Sequence, residues 1–126
     1  AIINITSITA LMPAGFTATY PASKAYVLAF TEALQAELGP KGVRVQAVLP
    51  GITRTPIWDA AALAGIPADM VMDVDDMVDA SLAGFDAGEA ITIPALPDMA
   101  DYDAFVAARD ALRPNLSLSR PAARYL

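Results

Sequence analysis

Two apolar, β-branched runs flank a single helical stretch, and this arrangement constrains the fold more than any other feature of the sequence. Residues 1–6 place Ile2, Ile3, Ile5 and Thr6 in a strand pattern. Residues 43–51, VRVQAVLPG, alternate Val43, Val45, Ala47 and Leu49 with Arg44 and Gln46 until Pro50-Gly51 stops the run. Between them, residues 22–38 repeat apolar side chains at three- and four-residue spacing, including Val27, Leu28, Phe30, Leu34 and Leu38. The segment GPKG then ends the helix, with Gly39 expected in the left-handed position that closes it. Strand, helix and strand of these lengths predict a βαβ unit with parallel strands, since a parallel return needs a crossover of about this size. The first half of the helix is apolar nearly all round, which predicts burial on more than one side. A β-branched strand at residue 1, without an initiator Met, needs neighbours on both sides.

The rest of the chain continues an α/β pattern. Residues 7–21 read as a loop, with Pro13 and Gly15 as breakers. Residues 52–72 read as short helical pieces interrupted by Pro56, Gly65 and Pro67. A helix is expected over 73–88, capped by Asp73, with Asp75 and Asp76 at the positive end of its dipole. Its buried stripe is expected to be Val74, Met77, Val78, Ser81, Leu82 and Phe85. A short strand at 90–94, an amphipathic helix at 101–114 and a polar tail at 115–126 complete the chain.

Composition removes several function classes. The net charge of −6 disfavours a nucleic-acid partner, which calls for a basic face. With no cysteine and no histidine, thiolate chemistry, the commonest metal ligands and the usual general base are all missing, so no metal site is expected. Acid–base work near neutral pH then falls to Tyr, Lys or a carboxylate. No apolar run approaches the roughly 18 residues of a membrane span. No membrane partner is expected, and the expected location is cytoplasmic. The hydrophobic share of 56% points to a well-buried interior or an apolar oligomer face.

In an open α/β sheet, ligands bind beyond the carboxyl ends of the strands. Ser7 ends the first strand; Pro50, Gly51, Ile52, Thr53 and Thr55 follow the second; Tyr20 and Lys24 open the helix between them. Residues four apart share a helix face, so Lys24 should lie beside Tyr20. A neighbouring ammonium favours a phenolate, while the bland alternative is a solvated surface pair. A hydroxyl at Ser7 could bond a substrate oxygen. Trp58 and Met70–Met72 read equally well as an apolar substrate wall or as packing. Tyr26 and Phe30 read as helix-packing residues.

Taken together, these segments resemble the short-chain dehydrogenase/reductase family, in its compact single-domain branch. IINITS is similar to its strand ending in the catalytic serine, YPASK to its Y-x-[AS]-[AS]-K signature, and LPGITRT to its P-G-x-x-x-T segment. The resemblance is tight over residues 1–58 and looser over 73–94. It implies Tyr20 as general acid/base, Lys24 holding the nicotinamide ribose and easing ionisation of Tyr20, and Ser7 orienting the substrate oxygen. Contacts to an NAD or NADP cofactor are implied for Tyr20, Lys24, Pro50, Gly51, Ile52, Thr53 and Thr55. It implies a small-molecule carbonyl or alcohol substrate and homo-oligomer formation through the helix at 22–38. The family's glycine-rich turn, its N-A-G segment and its helix asparagine do not occur in these 126 residues, and Thr53 stands where an aliphatic residue is usual. The expected fold is therefore the C-terminal half of a Rossmann-type parallel sheet, with residues 1–126 part of one NAD(P)-binding domain. The isolated chain is expected to be inactive, or else to persist as a non-catalytic, self-associating piece.

Overall fold

The computed structural model describes all 126 residues. They form two compact units, residues 1–95 and 96–126. In the first, the elements run β1 (Ile2–Ile5), α1 (Thr19–Leu38), β2 (Val45–Val48), β3 (Thr53–Arg54), α2 (Ala60–Ala64), β4 (Met72–Asp73), α3 (Val74–Asp86) and β5 (Ile91–Thr92). A three-stranded sheet has the order β1-β2-β5. β1 and β2 are parallel, with Ile2 opposite Val45 and Ile5 opposite Val48. β5 joins the other side of β2 in parallel, with Ala47 opposite Ile91. The βαβ unit and the third strand thus form as the sequence predicts.

β2 is buried along its whole length. Successive strand residues point to opposite faces. One face carries Ala47 and Leu49 against Leu28 of α1, flanked by Ala10, Leu11, Ile91 and Ile93. On the other face Gln46, 0% exposed, donates from Nε2 to the Ser81 carbonyl of α3 at 3.0 Å and to Thr92 Oγ1 at 2.8 Å. Its alternation with valines therefore does not mark a wet face: a central strand is covered on both sides, and a polar residue there needs internal partners.

Several boundaries differ from expectation. α1 starts at Thr19 and takes in Pro21. The first helical N–H groups have no partner within the helix, so a proline in that turn costs no hydrogen bond. Gly39 is right-handed, with φ −53°, and the chain continues through a 3-10 turn to Gly42, whose φ of 78° provides the left-handed stop. Burial of α1 on more than one side is not found. Pro21, Leu28 and Thr31 are buried, while Tyr26 is 69% exposed. The three-stranded sheet covers one side of the helix only.

Asp73 sits at the start of α3 without a side-chain cap. Its carboxylate instead accepts from Arg54 Nε at 2.9 Å, closing a second, two-stranded parallel sheet of β3 and β4. The sequence reading of 52–72 as helical pieces missed these strands, which are two residues each. The predicted stripe of α3 is also shifted. Ser81 and Gly84 are buried, Met77 and Phe85 are half-buried, and Val74, Val78 and Leu82 are exposed. Gly84 is the reason. A Cβ there would collide with Thr92 Oγ1 and lie 2.6 Å from Glu89 Oε2. Thr92 cannot swing aside without breaking its bonds to Gln46 and Glu89. Gly84→Ala is expected to lower unfolding stability by about 1–3 kcal/mol, read as a shift of the denaturation midpoint.

The second unit contains α4 (Ala100–Asp110), then 3-10 turns at Arg113–Asn115 and Ala123–Tyr125. The helix ends earlier than the predicted 114, and the tail ends in a turn. Tyr102 and Phe105 meet within this unit, ring centroids 5.9 Å apart. No helix of the chain is long and apolar enough to cross a membrane.

Candidate active site

The carboxyl ends of β1 and β2 are joined beyond the ladder itself. Thr6 N–H donates to the Val48 carbonyl at 2.8 Å and Ile8 N–H to the Pro50 carbonyl at 3.1 Å. Ser7 lies between these two bonds and is 6% exposed. Its backbone is extended, and its Oγ accepts from Thr9 N–H at 3.2 Å, capping a 3-10 turn at Ile8–Ala10. A small hydroxyl residue at this corner is thus fixed by backbone on both sides and by its own cap.

Thr6 makes a connection that motif spacing does not reveal. Its Oγ1 donates to the Lys24 carbonyl at 2.7 Å, tying the end of β1 to the first turns of α1. Tyr20 and Lys24 lie one turn apart on that helix, with Nζ 5.6 Å from the Tyr20 ring centroid. That distance is within reach of a cation–π contact. Tyr20 is 48% exposed and Lys24 half-buried. After β2, Pro50 is buried, and Thr53 Oγ1 donates to the Gly51 carbonyl at 3.3 Å, tightening the turn into β3.

All these groups border one cavity of about 540 Å³. Ser7, Tyr20 and Lys24 line it from the β1 end and α1, and Pro50, Gly51, Ile52, Thr53 and Thr55 from the segment after β2. Trp58 also lines it, whereas Met70 and Met72 do not. Phe16, Ile57 and Met77 border it too, and the sequence reading did not single them out as site residues. A phenylalanine among Pro, Gly and Thr residues just before a helix was the available signal for Phe16. Tyr26 and Phe30 lie outside the cavity and stack on each other, centroids 6.0 Å apart and 6° from parallel.

A parallel sheet with helices on both faces of β2, and a cavity at the strands' carboxyl ends, defines a Rossmann-type α/β protein. The model of the short chain dehydrogenase family matches residues 1–64, just over half the chain. The chain belongs to that family. It is 46% identical over 61 residues to the short-chain reductase protein NovJ of Streptomyces niveus, covering 48% of this chain and 23% of NovJ. A short-chain dehydrogenase from Sphingobium yanoikuyae in complex with NADPH superposes with a TM-score of 0.85 at 43% identity, over 98% of this chain and 48% of that one. The bulky-bulky ketone specific alcohol dehydrogenase from Comamonas testosteroni gives a TM-score of 0.85 at 41% identity, over 98% of this chain and 46% of that one. The chain therefore spans about half the length of these solved structures.

Proposed function

We propose that this chain supplies the catalytic edge of an NAD(P)-dependent oxidoreductase that interconverts a carbonyl and an alcohol. One observation carries the reading: Ser7, Tyr20, Lys24 and the Pro50–Thr55 segment border the same cavity. Relatives named as a reductase and a ketone-specific alcohol dehydrogenase, and one bound to NADPH, support it.

In this reading residues 1–126 are part of one nucleotide-binding domain. The nicotinamide cofactor, when bound, supplies or accepts the hydride. Its nicotinamide end fits the residues present. The space beside Gly51 is open, since a Cβ there would touch only Ile8 Cδ1 at 3.9 Å, and Lys24, Ile52, Thr53 and Thr55 border the same volume. Tyr20 gives its phenolic proton to the carbonyl oxygen during reduction and takes it back during oxidation. Ser7 holds that oxygen by a hydrogen bond. Lys24, beside the Tyr20 ring, bonds the ribose hydroxyls. The nearby aliphatic hydroxyls of Ser7, Thr53 and Thr55 are too weakly acidic to replace Tyr20.

The test is consumption of NADH or NADPH by the protein that carries this chain, with a panel of ketones, together with titration of the isolated chain. Carbonyl-dependent cofactor oxidation is expected; its absence with every ketone would overturn the reading. The chain contains no glycine-rich turn to cradle a pyrophosphate, so weaker than micromolar cofactor binding is expected for it alone.

A second reading has its own observation. Ile3 and Ile5 on β1, and Tyr26 and Phe30 on α1, are large apolar side chains open to solvent. We infer that the chain self-associates, with the α1 face as the homo-oligomer contact. Tyr26→Glu combined with Phe30→Glu is expected to shift the chain towards monomer in size-exclusion chromatography with light scattering. An unchanged mass would exclude α1 as the contact.

A further inference from the structure

We propose that Thr6 is a positioning residue for the proton transfer: through its hydroxyl it holds the first turns of α1, and with them Tyr20 and Lys24, in register with Ser7. The inference rests on the hydride-transfer reading and adds to it a residue that acts through its neighbours. Every contact that carries it lies between residues 4 and 48 of this chain.

Thr6 stands where three elements meet. Its backbone N–H donates to the Val48 carbonyl at the end of β2 at 2.8 Å. Its Oγ1 donates to the Lys24 carbonyl of α1 at 2.7 Å, and the next residue in the chain is Ser7. The residue is 3% exposed. A helix carbonyl already accepts from the N–H four residues on and keeps a second lone pair. α1 can therefore form without Thr6, and the added bond fixes where the helix lies rather than whether it forms. One bond would leave the helix free to turn about it, and β1 supplies another. Side chains two residues apart share a strand face, and Asn4 Nδ2 donates to Thr31 Oγ1 at 3.0 Å. Thr31 Oγ1 in turn donates to the Val27 carbonyl at 2.7 Å. Lys24 and Thr31 are about two turns apart along one side of α1, so the two attachments together set both the slide and the rotation of the helix on β1. Of the two, the Thr6 attachment is the one at the end that carries Tyr20. Threonine is stiff at χ1, so its hydroxyl passes the position of the strand backbone to the helix with little play. Groups that react from two separate elements tolerate little error, since a misplacement of about 1 Å costs about 10²-fold in rate.

Thr6→Val keeps the branched shape and deletes the donor, whereas Thr6→Ser keeps the donor. Both are made in the protein that carries this chain and assayed with NAD(P)H and the ketone it turns over best. Thr6→Val is expected to lower kcat about 10–100-fold, and Thr6→Ser to stay within about threefold of the parent. Asn4→Ala, which cuts the far attachment alone, should lower the denaturation midpoint and leave kcat within about threefold of the parent. A double-mutant cycle separates positioning from general loosening. In a Tyr20→Phe background, Thr6→Val should cost less than about threefold, because the proton donor it aligns is already gone. Should Thr6→Val not fold, Thr6→Ala, which deletes the hydroxyl without placing a methyl against the Lys24 carbonyl, is taken through the same cycle. An equal loss in both backgrounds would overturn the proposal. Amide exchange of the parent and Thr6→Val is read without turnover. Residues 22–28 should exchange about threefold to tenfold faster in the variant, and residues 31–38 at the parent's rate. That pattern with no NAD(P)H consumption by the parent sinks the hydride-transfer reading alone. Parent-like exchange, or NAD(P)H consumption untouched by Thr6→Val, sinks the positioning proposal alone.

Discussion

Tyr20→Phe, made in the protein that carries this chain, is expected to reduce kcat for carbonyl reduction by about 10²–10⁴-fold, a barrier increase of roughly 3–5 kcal/mol. The substitution deletes one oxygen and leaves the ring, and with it the contact to Lys24 Nζ at 5.6 Å. Tyr20 is 48% exposed, so little packing depends on its hydroxyl. The denaturation midpoint should therefore stay close to that of the parent, and the loss should fall on kcat. None of this chain's residues lining the cavity is a histidine that could take over the proton. Turnover within tenfold of the parent would remove Tyr20 from the acid–base role. An equal loss of stability and rate would mean that the ring, not the proton, had been disturbed.

The parts of the site that the sequence made legible depend on local rules. Tyr20 and Lys24 share a face because four residues make about one turn of helix, and that holds whatever the helix packs on. Ser7 and Pro50-Gly51 could be placed at one sheet edge because parallel strands put their carboxyl ends together. The misreadings share a different cause. Which side of α3 is buried depends on what crosses β2 from the far side of the sequence, and so do the partners of Gln46. Gln46 meets Ser81 and Thr92, 35 and 46 residues away, and no periodicity in VRVQAV encodes that. Asp73 has the composition and position of a helix cap, yet Arg54 takes its carboxylate once β3 and β4 pair. The two-residue strands were invisible because a period of two needs more than two residues to be seen. Phe16, Ile57 and Trp58 come to one cavity from segments without a regular pattern, so only Trp58 was weighed as a substrate wall.

The apolar character of α1 shows the same limit from the other direction. Its all-round apolar first half was read as burial on more than one side, yet Tyr26 and Phe30 are open and stack on each other. The pattern records what the helix is suited to contact, and one sheet of three strands supplies only part of that. This is why self-association is a property to measure rather than a detail of packing.

Gln46→Glu is expected to be the most damaging substitution of the same size in the chain, costing roughly 3–5 kcal/mol of stability at neutral pH. Gln46 is 0% exposed, and its Nε2 is the donor to the Ser81 carbonyl and to Thr92 Oγ1. Thr92 Oγ1 in turn donates to Glu89 Oε2 at 2.6 Å. Replacing the amide by a carboxylate removes the donor, faces an oxygen toward a carbonyl, and adds a second acid to a cluster that already holds Glu89. Burial and the like charge both favour the protonated form of the new carboxyl, so its folded-state pKa rises above the unfolded value of about 4.3. The folded state then holds the proton that the unfolded state releases. Stability relative to the parent is retained below about pH 4.3 and is lost as pH rises through the folded pKa. Denaturant titrations of parent and variant across that range should show the deficit growing with pH and levelling off above it. A deficit independent of pH would mean that the cost is the lost amide donor alone, and a deficit below about 1 kcal/mol would show that the α3 face of β2 admits water.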